Sequence, residues 1–334
     1  MLVVNKAIDI LLIVLLCLTA TACATVAGVL EMGQNEQPGR ITECGPGSEQ
    51  KPLARWSSIS GNLLVRSSGA AATESSYLQL TSPVAIAAQA NDLYIADVGR
   101  RAILKYDRGT QITRVFVEVP DLNLDTGLYL DRGLSLYLAD PLAGQVTRFD
   151  IDGKPLQTFQ NTTELPRPVA VVVDDSRAEV FAADQLTARI LVFDRAGLVT
   201  RAIGVDVADG IRFQSVTAMA IGPDQLYVVD RLAHRVYALA LDGSYRYFFG
   251  EEDLKLPGAI ALDAHNRVFV ADEADNTIKV YRGGQLEAVV GAQGDPTGLG
   301  FRQLSALWLS DGLLYVADPA SAGIDILRVV PPCE

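Results

Sequence analysis

The chain of 334 residues is acidic, with 28 lysines and arginines against 40 aspartates and glutamates and a formal net charge of −12 at pH 7. This surplus of negative charge argues against a nucleic-acid partner and against membrane attachment through a basic surface. The sequence has two histidines and no metal-ligand spacing, catalytic triad motif or phosphate-binding loop. It therefore predicts no metal site, no cofactor and no catalytic residue.

Residues 1–22 are predicted to be a signal peptide. The apolar run at 10–20 is too short to cross a membrane and has the length of a signal core. It ends in Ala20-Thr21-Ala22-Cys23, which resembles the bacterial lipoprotein cleavage box, although Ala20 stands where that box usually has leucine. The resemblance implies that Cys23 carries lipid and anchors the protein in the bacterial cell envelope, on the periplasmic or surface side of the outer membrane. Ordinary signal-peptidase cleavage is the alternative.

Residues 23–60 are rich in Gly, Pro, Glu and Gln and are predicted to be a lipidated tether before a folded domain at 61–334. Once Cys23 carries lipid, Cys44 and Cys333 are left as an even pair outside the cytoplasm. An oxidising compartment favours a disulfide between them, which would join the two ends of the folded region. Two unpaired thiols are the alternative.

A pentapeptide similar to Leu-Tyr-Val-Ala-Asp recurs along the chain at intervals of 42 to 46 residues. Its six copies end at Asp97, Asp140, Asp184, Asp230, Asp272 and Asp318. A constant period of this length with strand-like content is typical of a propeller or solenoid. Because all six units carry the aspartate, we expect each to accept backbone hydrogen bonds in the following turn and not to act in catalysis.

Four short runs rich in Val, Ile, Tyr and Phe occur in each of the first five units, and Gly, Asp and Pro bound them. The sequence therefore predicts an all-β fold, a six-bladed β-propeller of four-stranded antiparallel blades. Small residues in the first run of most units suit the crowded axis, and Trp308 is expected to fill space between blades. The sixth unit lacks its own outer strand, and residues 62–68 are the predicted replacement.

Two units resemble NHL repeats most clearly: Asp272 with Asn276 and Ile278, and Asp230 with His234 and Arg235. In the other four units the Asn/His position of that family holds Arg101, Gly144, Ala188 and Ala322. The resemblance extends over roughly residues 82–330. It implies a six-bladed propeller that serves mainly as a binding scaffold. The departures leave gluconolactonase-like and strictosidine-synthase-like propellers as alternatives.

The loops that follow the pentapeptides are expected to share one face with the connections between blades. Six basic residues in these loops form a candidate partner-binding face: Arg100, Arg101, Arg189, Arg231, His234 and Arg235. Guanidinium groups bind carboxylates or phosphates bidentately, so an anionic protein or peptide would suit this face. The alternative is that acidic residues of the connections pair with these side chains as solvated salt bridges.

The function predicted from the sequence is that of a monomeric propeller scaffold for protein, peptide or ligand binding, attached to the membrane only through its N-terminal lipid. The alternative is a propeller enzyme of the gluconolactonase or strictosidine-synthase-like hydrolase kind, with its site at the channel mouth.

Overall fold

The computed structural model describes residues 52–66, 75–204, 211–292 and 298–332. The predicted signal peptide, the lipidation site Cys23 and the predicted disulfide partners Cys44 and Cys333 lie outside these residues. In the described part of the chain, no helix is both long and apolar enough for a membrane span.

The described chain forms six four-stranded blades, one of which carries two additional strands. Three strands precede the first repeat: β1 (Leu53–Ile59), β2 (Asn62–Arg66) and β3 (Ser75–Gln79). Blade one contains β4 (Pro83–Gln89), β5 (Asp92–Asp97), β6 (Ala102–Asp107) and β7 (Ile112–Glu118). Blade two contains β8 (Gly127–Leu130), β9 (Leu136–Asp140), β10 (Gln145–Phe149) and β11 (Pro155–Gln160).

The remaining blades repeat this order. Blade three contains β12 (Pro168–Asp174), β13 (Glu179–Asp184), β14 (Arg189–Phe193) and β15 (Val199–Ile203). Blade four contains β16 (Val216–Ile221), β17 (Gln225–Asp230), β18 (Arg235–Ala240) and β19 (Tyr245–Phe249). Blade five contains β20 (Pro257–Leu262), β21 (Arg267–Asp272), β22 (Thr277–Arg282) and β23 (Gln285–Val290). Blade six contains β24 (Ala306–Ser310), β25 (Leu313–Asp318) and β26 (Gly323–Val329).

Burial falls from the second and third strands to the outer strand of each blade. The pentapeptide strand β17 is buried over Leu226–Asp230, whereas the outer strand β19 is mostly exposed. A strand that packs against neighbouring blades on both faces needs a continuous apolar run, which the pentapeptides supply. Apolar clusters join adjacent blades, such as the one that contains Phe181 of blade three and Val228 of blade four. The predicted six-bladed all-β propeller is confirmed.

The ring closes between the two ends of the described chain. Strand β1 pairs antiparallel with β26 and forms the outer strand of blade six. The predicted closing segment, 62–68, is therefore wrong, and a strand at 53–59 that the sequence analysis placed in the tether closes the ring. An outer strand needs few buried side chains: only Leu53 and Ile59, at the two ends of β1, are buried. Its polar middle therefore gave no strand signal.

Residues 62–66 of the predicted closing segment lie instead in a strand pair added to blade one. Strand β2 pairs parallel with the outer strand β7 and antiparallel with β3. Blade one consequently has six strands, and β3 forms its outer edge.

Five of the pentapeptide aspartates tie the loop after the second strand to the connection before the first strand. Asp230 is representative: its carboxylate accepts hydrogen bonds from Gln214 N at 2.7 Å, Ser215 N at 3.0 Å and Ala233 N at 3.2 Å. Asp140 differs, because its recorded bonds are to Leu142 N and Ala143 N, within its own loop. The turn role predicted for the aspartates is confirmed.

Candidate functional site

The inner strands of the six blades surround a cavity of about 520 Å³ on the propeller axis. Its walls are mostly small and aliphatic, because six strands that converge on one axis leave little room for larger side chains. Tyr129 and Trp308 form the aromatic part of the wall, with ring centroids 5.5 Å apart in an edge-to-face arrangement. The Trp308 indole donates to Ala88 O at 2.7 Å, so this side chain also joins blades six and one. The expectation that Trp308 fills space between blades is confirmed.

One end of the cavity reaches the loops between blades. We call this side the connection face: it carries the loops between second and third strands and the connections between blades. Backbone bonds such as Arg231 N to Ser215 O, at 2.9 Å, hold the two kinds of loop together. The cavity lining includes Asp125, Gln185 and Gln303 from this face. No described residue from the turns between first and second strands belongs to the lining. The mouth of the cavity therefore lies on the connection face.

An ion pair between blades four and five lies at this mouth. Arg231 donates to the two carboxylate oxygens of Glu273 at 2.8 and 2.6 Å. This bidentate bond is the main reason that the pKa of the Arg231 guanidinium is raised above its ordinary value. Glu273 can lie over the start of β20 because residue 258 is glycine: a Cβ there would be 1.9 Å from Glu273 Oε1.

A second ion pair connects Asp125, before β8, to Arg167, before β12, at 2.6 Å. Both side chains are close to half exposed, so the pair contributes little to folding stability. Among the residues that the structure describes, the carboxylates that line the mouth are those of Asp125 and Glu273, and each is engaged by an arginine.

Tyr129 is the phenol of the cavity wall. Its hydroxyl donates to Val173 O at 3.3 Å, and burial raises the pKa of Tyr129 well above its ordinary value. The phenol is therefore neutral at physiological pH and can serve as a wall and a hydrogen-bonding group. Among the residues that the structure describes, no cluster of three or more His, Cys, Asp or Glu residues could hold a metal ion.

The six basic residues predicted for partner binding all lie in or beside loops of the connection face. Arg189 faces Glu164 at 3.7 Å, and Arg235 contacts Glu251 at 2.6 Å. The Arg235 guanidinium also lies over the Phe248 ring, 4.2 Å from its centroid.

The other predicted residues make backbone contacts or face solvent. The Arg100 side chain donates to Gln79 O at 2.8 Å, and His234 Nδ1 lies 2.6 Å from Lys255 O. Arg101 is exposed. Of the six, only Arg231 lines the cavity. The pairs of Arg189 with Glu164 and of Arg235 with Glu251 correspond to the salt-bridge alternative considered from the sequence, because both glutamates lie in connections between blades. The partner of Arg231, Glu273, lies instead in the loop after a pentapeptide.

Sequence reasoning missed several residues of the mouth, namely Asp125, Gln185, Glu273 as a cavity-lining residue, and Gln303. Gln185 and Glu273 each directly follow a pentapeptide aspartate, as Arg231 does. This shared position was an available signal: the first residue after the pentapeptide points toward the axis in blades three, four and five.

No family model matches the sequence, and no curated protein matches it. The fold is similar to solved structures at low sequence identity. A streptogramin B lyase superimposes with a TM-score of 0.60 at 9% identity, over 82% of this chain and 98% of the lyase. A protein of unknown function from Bacteroides thetaiotaomicron gives 0.63 at 13% identity, over 82% of this chain and 76% of that one. Virginiamycin B lyase from Staphylococcus aureus gives 0.54 at 12% identity, over 75% and 96%. These similarities establish the propeller fold alone.

Proposed function

We propose that the protein is a binding propeller that holds a protein, peptide or smaller ligand at the mouth of its axial cavity. The observation that carries this proposal is the 520 Å³ cavity that opens among the loops of the connection face. Concave, mostly apolar sites with a few polar groups at the rim are the usual form of binding sites. Ion pairs between neighbouring blades at this rim help to fix its shape.

The enzyme alternative receives weaker support. In the described part of the mouth, Arg231 binds both carboxylate oxygens of Glu273 and Arg167 binds one oxygen of Asp125, which reduces the oxygens available for a proton-transfer step. The similarity to lyases is a similarity of fold. Asp125→Asn and Glu273→Gln separate the two functions: an enzyme would lose turnover in one of these variants with its ligand still bound. The binding proposal predicts that these two substitutions change the affinity for the ligand. It also predicts that neither the wild type nor the variants convert the ligand into a product.

The binding proposal can be tested by site-specific photo-cross-linking in cells of the source organism. A benzophenone amino acid replaces Gln303, which is exposed at the mouth, and as a control replaces Asp152, which is exposed in a turn of the opposite face. A specific adduct from position 303 and none from position 152 is expected. Adducts from position 152 alone, or from neither position, would contradict the proposal.

We also propose that the propeller is anchored by lipid on Cys23 in the bacterial envelope and that its repeats are NHL-like. The anchor rests on the cleavage box at residues 20–23. Radiolabelled or alkyne-tagged fatty acid should mark the wild type and leave Cys23→Ser unmarked. Equal labelling of the wild type and Cys23→Ser would contradict a lipid anchor on Cys23. Support for the repeat identity comes from the loops, where the Asn/His position has positive φ in all six units, including His234 and Asn276.

A Cys44–Cys333 disulfide is part of the same proposal. Val330 N donates to Pro52 O at 2.9 Å, so the described residues at the two ends of the propeller, which precede Cys333 and follow Cys44 in sequence, are adjacent. A bridge across so long a loop would contribute about 5–6 kcal/mol on the loop-closure model. Mass spectrometry of the unreduced protein is expected to find the linked peptide. Two free thiols would exclude the bridge.

A further inference from the structure

Four leucines stand exposed around one half of the connection face. Leu142, Leu186 and Leu232 occupy the same position in blades two, three and four, two residues after the pentapeptide aspartate. Their exposure is 66%, 72% and 60%. Leu124, in the connection into blade two, is 65% exposed and also lines the cavity. We call these four residues the leucine arc.

The arc is a local feature of three adjacent blades. The corresponding residues in blades one, five and six are Gly99, Ala274 and Ala320, which present little apolar surface. Of the six large apolar residues that are at least 60% exposed in the described chain, the arc contains four. Isolated exposed leucines are normal, but their concentration on one side of one face is a mark of an interaction site.

The loops that carry these leucines are held in place. Asp140 accepts from Leu142 N at 3.0 Å, Asp184 accepts from Thr187 N at 2.7 Å, and Asp230 accepts from Ala233 N at 3.2 Å. A preformed loop loses little conformational freedom when a partner binds. The leucine side chains are thus presented to solvent on fixed backbone.

The charges around the arc indicate the kind of occupant. Arg167 pairs with Asp125, Arg189 lies near Glu164, and Arg231 pairs with Glu273. Because acidic residues of the protein itself already neutralise these arginines, the arginines do not favour an acidic binding partner. The net charge of −12 disfavours both an anionic membrane and a second copy of the same chain.

We propose that the leucine arc docks a segment of another protein that has aliphatic side chains and a net positive charge, with one side chain entering the cavity beside Leu124. This inference rests on the proposed binding function and specifies its partner. Leu124 belongs both to the arc and to the lining of the cavity, so the arc reaches the cavity at this residue. Aliphatic contacts supply affinity, and the acidic propeller attracts the basic flanks.

The test uses a displayed library of random 12-residue peptides, selected on the wild-type propeller. The triple variant Leu142→Ser, Leu186→Ser and Leu232→Ser removes most of the arc. The control Leu198→Ser changes a leucine that is 66% exposed, in the turn between the third and fourth strands of blade three, on the opposite face. Thermal unfolding of each variant checks that the fold is retained.

Selected peptides should be aliphatic and basic. Their affinity, measured by fluorescence anisotropy, is expected to fall at least about tenfold in the triple variant and less than about twofold in Leu198→Ser. Equal affinity for the triple variant, enrichment of acidic peptides or failure to enrich any peptide would overturn the proposal.

Two further measurements address the other occupants. Co-sedimentation with phosphatidylcholine–phosphatidylglycerol vesicles that is lost in the triple variant would assign the arc to a membrane and overturn the proposal. Sedimentation velocity that shows a wild-type dimer lost in that variant would assign it to a second copy, with the same consequence. A Gln303 cross-link that persists in the triple variant would refute the docking role of the leucine arc, and the proposed binding function would still hold. Absence of the cross-link in the wild type would refute the proposed function itself.

Discussion

Replacing the pentapeptide aspartate by asparagine should have very different effects in blades four and two. In blade four, Asp230 is fully buried and uses both carboxylate oxygens: one accepts from Gln214 N, and the other accepts from Ser215 N and Ala233 N. Asparagine has one carbonyl oxygen and an NH₂ group in place of the second oxygen. In Asp230→Asn, at least one buried backbone N–H would face another donor.

In blade two the same substitution changes little. Asp140 accepts from Leu142 N and Ala143 N through a single oxygen, Oδ1, and both bonds are at 3.0 Å on an exposed loop. An asparagine oxygen can occupy this position and keep both bonds.

The expected losses follow from these contacts. A charge-assisted hydrogen bond contributes about 1.5–3 kcal/mol, and a buried donor left unpaired costs about 1–3 kcal/mol, with overlap between the two. Asp230→Asn should therefore lower the free energy of unfolding by about 2–4 kcal/mol, and Asp140→Asn by less than about 0.5 kcal/mol.

Calorimetric melting temperature is the assay. A loss of 2–4 kcal/mol predicts a decrease of about 3–7 °C in a domain of this size. Equal decreases for the two variants would refute the hydrogen-bonding account, as would a larger decrease for Asp140→Asn.

Three other changes test separate features. Ala188 has φ 51°, so Ala188→Gly should relieve left-handed backbone strain and raise the free energy of unfolding by up to about 1 kcal/mol in denaturant titration; a loss would contradict this. Burial raises the pKa of Asp272, but hydrogen bonds from Lys279 and the backbone outweigh it, and the net pKa is lowered. Asp272→Asn leaves the buried Lys279 ammonium with Asp275, at 3.3 Å, as its remaining carboxylate partner, and should therefore cost about 3 kcal/mol at neutral pH, where the Asp272 carboxylate contributes fully. The difference should shrink as the pH falls below about 4, and a pH-independent difference would be inconsistent with the pair. Gly258→Ala should displace Glu273 from Arg231 and change the free energy of unfolding by less than about 1 kcal/mol, visible in a crystal structure. Gly300→Ala, where the added Cβ meets nothing within 4 Å, is its control, and an intact ion pair in Gly258→Ala would contradict the expectation.

The sequence predicted the blades because their second strands must be apolar on both faces and end at an aspartate. Each pentapeptide falls within one strand, from β5 in blade one to β25 in blade six. The regular spacing then determined how many blades there are and which strand each run becomes.

The closing strand could not be predicted by the same reasoning. Strand β1 is held by main-chain pairing with β26 and by the bond between Arg55 and Asp325 at 3.0 Å. The exposed middle of β1 has no apolar pattern. Residues 62–66 are more apolar and were therefore predicted to close the ring, but they form β2 of the strand pair added to blade one. Long-range pairing of an edge strand leaves almost no local trace in sequence.

The backbone of the loops explains why the residue type varies at the position where NHL repeats have Asn or His. The fourth residue after each pentapeptide aspartate has positive φ, between 50° and 64°. These residues are Arg101, Gly144, Ala188, His234, Asn276 and Ala322. Glycine and asparagine adopt this conformation most readily, so the position selects for backbone geometry and not for ligand contact.

The candidate site was predictable only in part. Strand order determines which loops share a face, so the placement of Arg231 and its neighbours followed from the repeat. The partner of Arg231 did not, because Glu273 belongs to the neighbouring blade and lies 42 residues further along the chain. The leucine arc likewise depends on exposure, which the repeat pattern does not determine for loop residues.

The central claim, that the connection face is where a partner binds, is tested most directly by hydrogen exchange of the propeller with and without the partner cross-linked at Gln303. The account predicts slower amide exchange in the loops 141–144, 185–188 and 231–234 and unchanged exchange in the turns of the opposite face, such as 194–198. Protection confined to those turns, or to the outer strands of the blades, would contradict it.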